Sequence, residues 1–132
     1  MDRYHVEFRE SDGILIVETE GDRDPVEAAF LARERALWSR KAEECRARAI
    51  NRVLYVGGLT GRASTTVTHT IVAELDWLGW SPQVQIALVR EDLHAERVVC
   101  FGVRLATERG YWAKAFNCRD AAMQWLRGRV GV

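Results

Sequence analysis

The sequence predicts one α/β domain, residues 1–132, built on a largely parallel sheet of about five strands. Short apolar runs typical of strands alternate with longer segments in which apolar residues recur every three or four positions. Two strand-like runs stand together at the start, and each later one is followed by a helical segment. The predicted order is therefore ββαβαβαβα, in which consecutive βα units favour parallel strands and right-handed crossovers.

An antiparallel hairpin is expected to open the chain. Tyr4, Val6 and Phe8 alternate with polar residues, which is the period of a half-buried strand. The Ser-Asp-Gly run at 11–13 is typical of a turn. Residues 14–17 are apolar on both faces, which places the second strand nearer the centre of the sheet.

A long amphipathic helix is predicted from about residue 25 to about residue 50. Asp24 is expected to accept a hydrogen bond from a free amide at its start, with Pro25 at the first helical position. Glu27 stands where the partner of a capping box belongs, and such a cap contributes about 1 kcal/mol. The apolar side of this helix comprises Phe30, Leu31, Leu37, Trp38, Ala42, Cys45 and Ala49.

The glycine-rich stretch VGGLTGRASTT, residues 56–66, follows a short predicted strand at 52–56. We interpret its glycines as the tight turn between that strand and a helix over about 62–78. Gly79 is expected to end the helix in the left-handed conformation, with Trp80 folding back on the last turn.

The rest of the chain continues the alternation. A strand is predicted at 84–89, and the helix after it is expected to stop at Gly110. A short strand at 112–116 precedes a final helix, for which Asn117 is the predicted cap and Asp120 its reciprocal partner.

Composition narrows the classes of function. The 19 basic and 19 acidic side chains cancel, so no net charge favours binding to nucleic acid. The 3 cysteines are widely spaced and predict reduced thiols in a cytoplasmic protein. The charged start and the lack of a long apolar window predict neither a signal peptide nor membrane insertion, and nothing indicates a metal site or a cofactor.

From Gly58 onward, the order of elements resembles the SpoIIAA-like fold, which includes the STAS domains and related STAS/SEC14-like bacterial proteins. The closest likeness is the tail GYWAKAFNCRDAAMQWL, with its helix-ending Gly, short strand and final helix. The resemblance implies a non-enzymatic interaction or regulatory module, expected to form a homodimer. Its SEC14-like side, together with the apolar helix stripes, suggests as an alternative a small-molecule or lipid carrier.

The same resemblance singles out two hydroxyl side chains. In the anti-sigma-factor antagonists, a loop with the sequence Asp-Ser-Ser-Gly is phosphorylated on its first serine by a partner kinase, and this phosphorylation switches the binding of the partner. Ser64 matches that serine and Thr65 keeps a hydroxyl, while Ala63 and Thr66 replace the Asp and the Gly. Ser64 and Thr65 are therefore the candidate phosphorylation sites.

Three further candidate sites come from the residues themselves. The stretch before the helix could bind an anion through free amides, although its spacing matches neither phosphate-loop motif. An enzyme could use His69 and Asp76, seven residues apart on one predicted helix, as an acid and base pair, or it could use the loop hydroxyls. No nucleophile is placed beside the pair by its spacing, so we predict no catalytic activity. Trp77 and Trp80 at a helix end are interface candidates. The anion-binding candidates are Gly57, Gly58, Thr60, Gly61 and Arg62.

Overall fold

A computed structural model describes residues 4–61, 63–90 and 93–128, with only the backbone for 93–96. Within these residues the strands and helices follow the predicted order ββαβαβαβα. In chain order they are β1 (His5–Ser11), β2 (Ile14–Asp22), α1 (Glu27–Arg48), β3 (Arg52–Thr60), α2 (Thr65–Glu74), β4 (Gln85–Val89), α3 (Leu93–Glu108), β5 (Trp112–Phe116) and α4 (Arg119–Leu126).

The strands form one sheet in the order β1-β2-β3-β4-β5. Strands β1 and β2 are antiparallel, and the remaining neighbours are parallel, so the predicted hairpin and mostly parallel sheet are confirmed. A two-residue turn joins β1 to β2, in which Asp12 and Gly13 both have positive φ, as a tight hairpin requires.

Helices α1, α2 and α3 cover one face of the sheet, and α4 covers the other. Right-handed crossovers between successive parallel neighbours place the connecting helices on the same side, which explains the first three. Each face of the sheet carries a hydrophobic core, and alternate residues of β2 contribute to one or the other. Leu15 and Val17 pack under α1–α3, while Ile14 and Ile16 pack towards α4. No helix in the described part of the chain has the length and apolar character needed to cross a membrane.

Both predicted helix caps are wrong in detail. The Asp24 Oδ1 atom accepts from the Val26 amide at 2.9 Å, so Asp24 closes a turn before the helix, and α1 begins at Glu27. Glu27 makes no capping box, because its carboxylate accepts from the Ser64 hydroxyl at 2.8 Å. Helix α4 takes Cys118 rather than Asn117 at its cap position, without a side-chain hydrogen bond.

The interpretation of Gly57 and Gly58 as a turn is also wrong. Strand β3 continues to Thr60 and stays paired with residues 19–22 of β2. A Cβ atom on Gly57 would lie 2.7 Å from the Arg90 Nη1 atom, and one on Gly58 would lie 2.4 Å from the Thr19 carbonyl oxygen. These glycines therefore admit close neighbours, and the turn itself falls at Gly61, whose φ is +96°.

Helix α2 is shorter than predicted, since it ends at Glu74 and residues 75–79 form turns. The predicted conformations of Gly79 and Trp80 are confirmed. Gly79 has φ +91°, and the Trp80 amide donates to the Leu75 carbonyl oxygen at 2.9 Å. This contact turns the Trp80 side chain back into the core.

Candidate functional site

A cavity of about 140 Å³, partly open to solvent, lies between the sheet and the helices α1–α3. Its lining includes four small residues, Gly57, Gly102, Ala106 and Ala113. Most of the wall is apolar, and it includes Phe30, Leu59, Val67, Ile71, Val72, Leu75, Ile86, Leu88, Val98, Val99 and Val103.

Three aromatic side chains form one wall of the cavity. The Trp38 ring packs edge-on against Tyr55, with centroids 6.0 Å apart, and against Trp80, with centroids 5.3 Å apart. Trp80 is only 3% exposed, so the prediction that it belongs to a surface interface is wrong. The hydrogen bond from its backbone amide to the turn after α2 directs the ring inward, where it lines the cavity.

Behind this aromatic wall lies a fully buried lysine. Lys41 is 0% exposed, and its Nζ atom has no hydrogen-bond partner. The atom lies 3.2 Å from the ring centroid of Tyr55 and 3.5 Å from that of Trp38. Burial lowers the pKa of Lys41 well below its usual value, against the opposing influence of Glu34.

The polar part of the lining gathers at the carboxyl end of the parallel strands. Arg23 follows β2, Ser64 follows β3 and Arg90 follows β4, and all three line the cavity. Glu34 of α1 also lines it, and burial raises the pKa of this carboxyl, whereas Lys41 and Arg23 act to lower it. The cavity is therefore apolar over most of its wall and charged at one end.

Arg90 is the most enclosed of these polar residues, with 7% of its surface exposed. Its Nη2 atom donates to the Leu59 carbonyl oxygen at 3.0 Å, while its Nε atom has no hydrogen-bond partner. Because Gly57 lacks a side chain, the guanidinium lies directly over the backbone of β3.

The proposed anion-binding residues lie on another side of Arg90. Gly57, Gly58 and Thr60 line a hollow of about 310 Å³ together with Arg90 and Arg119. The Gly58 amide is already used, because it donates to the Thr19 hydroxyl at 3.2 Å, and Arg119 donates to Glu18 at 2.8 Å. Gly61 does not line the hollow, and Arg62 lies outside the described residues.

The two phosphorylation candidates have different environments. Ser64 caps α2: its hydroxyl oxygen accepts from the Val67 amide at 3.1 Å, and the hydroxyl donates to Glu27. Thr65 is exposed in the first turn of the helix. A phosphate on Ser64 would benefit from the helix N-terminus but would face the Glu27 carboxylate.

We expect Ser64→Ala to lower the free energy of unfolding by about 1 kcal/mol, because the Val67 amide loses its acceptor and Glu27 its donor. Thr65→Ala, one position along, is the control and should change stability by less than about 0.5 kcal/mol. Urea unfolding measures both. Equal losses in the two variants would show that Ser64 is not a functioning cap.

The proposed acid and base pair is not brought into one helix. His69 is exposed on α2, whereas Asp76 lies in the turns after the helix has ended. Trp77, in the same turns, is 80% exposed and remains available to a partner. The described residues contain no group of His, Cys, Asp or Glu placed to hold a metal ion.

Sequence reasoning missed four charged residues at or beside the site: Arg23, Glu34, Lys41 and Arg90. A signal for Lys41 existed, since Leu37, Lys41 and Cys45 are four residues apart and share one helical face. Arg90 stands first in a charged run after β4, where it suggests only the end of a strand. Its burial depends on Gly57 from another strand, which no local pattern reveals.

No protein-family model matches the chain, and a search of curated proteins finds no match either. The resemblance to the SpoIIAA-like and STAS proteins thus stays a prediction.

Proposed function

We propose that the protein binds a small, largely apolar molecule in the cavity between the sheet and helices α1–α3, as a carrier domain. The observation that carries this proposal is the cavity of about 140 Å³ and its apolar lining. The atoms that line an unfilled apolar cavity lack packing partners on one side. An apolar ligand would restore the missing contacts and stabilise the folded state.

The volume limits the size of the buried part of the ligand. An apolar cavity of ~150 Å³ in another protein accommodates benzene, so this cavity suits about six carbon atoms. Hexanol is a fitting neutral probe, because each buried methylene contributes about 0.8 kcal/mol. We expect a dissociation constant on the order of 1 mM or lower.

A cavity-filling substitution tests the proposal. Ala106 lines the cavity from α3, so the phenyl ring of Ala106→Phe should occupy the space that the ligand needs. We expect this variant to lose hexanol binding, measured by the quenching or shift of tryptophan fluorescence, while its free energy of unfolding falls by less than about 1 kcal/mol.

The matched control is Arg104→Phe, which places the same ring on the exposed side of α3. This variant should bind hexanol as the original protein does. If Ala106→Phe folds poorly, Val103→Phe fills the cavity from the next turn. Binding of hexanol by a folded, filled variant would contradict the proposal, as would the absence of binding by the original chain.

The interaction or regulatory module is the second candidate function, and exposed tryptophans favour it. Trp77 is 80% exposed, and Trp112, on the edge strand β5, is 52% exposed. Apolar groups of this size at a surface are common at protein interfaces. The homodimer, the phosphorylation switch, the lack of enzymatic activity and the cytoplasmic location stay predictions of the sequence.

A further inference from the structure

Arg90 provides a buried positive charge at the end of the cavity that lies beside the carboxyl ends of the parallel strands. It is 93% buried, lines the cavity and has an Nε atom without a hydrogen-bond partner. Burying a cationic group is unfavourable unless its charge and its donors are satisfied. The Leu59 carbonyl oxygen satisfies one Nη2 hydrogen, which leaves the adjacent Nε donor without an acceptor.

The described residues offer Arg90 no counterion. None of the ion pairs within 4–61, 63–90 and 93–128 includes it. The acidic side chain that lines the cavity is Glu34, and the cations that act on it are Lys41 and Arg23. Arg90 therefore lacks both a counterion and an acceptor for its Nε hydrogen, and an anion with hydrogen-bond acceptors would provide both.

We propose that the ligand is a carboxylate with an apolar body of about six carbon atoms, whose carboxylate binds Arg90. The body fills the space along the sheet under α2 and α3, and the head group lies where β3 and β4 end. The Nε and Nη2 atoms form one edge of the planar guanidinium, and a carboxylate binds such an edge through two parallel hydrogen bonds. This ligand class rests on the proposed binding of an apolar molecule in the same cavity.

Gly57 is a specificity-determining residue in this arrangement. A Cβ atom there would meet the Arg90 Nη1 and Cδ atoms at 2.7 and 2.8 Å, so any side chain would displace the guanidinium. Gly57, which the sequence offered as an anion-binding candidate, thus serves an anion site indirectly, because it leaves room for the Arg90 side chain.

The test compares hexanoate with hexanol, which share a chain and differ in the charged head group. The original chain should bind hexanoate about tenfold more tightly, because hydrogen bonds to charged groups are the stronger ones. Arg90→Met should reverse this preference, so that hexanol binds more tightly than hexanoate. Arg119→Met, which removes an exposed arginine at the same end of the sheet, is the control and should leave the preference unchanged.

Isothermal titration calorimetry on the full chain gives both constants. Equal binding of hexanoate and hexanol, or a preference for hexanoate that survives in Arg90→Met, would overturn the assignment of the ligand class and leave the carrier proposal standing. Binding of neither probe would overturn both. If Arg90→Met does not fold, Arg90→Lys keeps the charge without the guanidinium edge and should retain less than half of the preference.

Discussion

Lys41→Met is expected to raise the free energy of unfolding by about 2 kcal/mol at neutral pH. The Lys41 amino group is fully buried without a hydrogen-bond partner, and two aromatic rings offset only part of its lost hydration. Methionine has a similar length, carries no charge and packs well against aromatic rings. Urea unfolding measures the difference.

The same substitution should remove a pH dependence. Burial lowers the pKa of Lys41 in the folded protein below the value of about 10.5 expected when unfolded, so between these two values the unfolded chain binds more protons. Stability then rises with pH in this window, and Lys41→Met should lack that rise. Burial raises the pKa of the neighbouring Cys45 to about 11 and also raises the pKa of Tyr55. Both shifts make stability fall with pH at high pH, which opposes the rise caused by Lys41. Measurements below pH 9.0, the usual pKa of a cysteine thiol, therefore avoid these two opposing groups.

Lys114 is the only other lysine of the chain and is exposed, which makes Lys114→Met the matched control. It should change stability by less than about 0.5 kcal/mol. A Lys41→Met variant that is less stable than the original chain would mean that the aromatic rings and the Glu34 carboxyl together hold the ammonium group in a net favourable arrangement.

Gly58→Ala is expected to lower the free energy of unfolding by about 3 kcal/mol. Its Cβ atom would lie 2.4 Å from the Thr19 carbonyl oxygen, a backbone atom on the neighbouring strand, so relief requires β2 and β3 to move apart. Gly57→Ala should be less harmful, because its nearest neighbours belong to the Arg90 side chain, which can shift. Urea unfolding of both variants gives the order, and a Gly58→Ala variant as stable as the original chain would contradict the close packing of these strands.

The sheet could be predicted from the sequence because its signals are local. The Ser-Asp-Gly turn, the apolar run at 14–17 and the alternation of strand and helix patterns are each contained within a few residues. The positive φ of Gly79 and the end of α3 shortly before Gly110 could be predicted for the same reason.

The cavity and its charged end could not be predicted in this way. Two adjacent glycines are typical of a turn, yet Gly57 and Gly58 lie in a strand. They leave room for close contacts with Arg90 and Thr19, which are distant in the sequence. Trp77 and Trp80 are three residues apart, but one is exposed and the other buried because of the turn at Gly79. Such outcomes depend on tertiary packing, which the local pattern does not contain.

Titration of the isotope-labelled protein with hexanol, followed by two-dimensional NMR, tests the central claim most directly. We expect saturable shifts in the amide signals of Ile71, Gly102 and Ala106, which line the cavity. The signals of Ala122 and Leu126, in the core on the opposite face of the sheet, should not move. Shifts that fail to saturate, or that cluster around the exposed Trp77 instead of the cavity, would contradict a ligand site between the sheet and helices α1–α3.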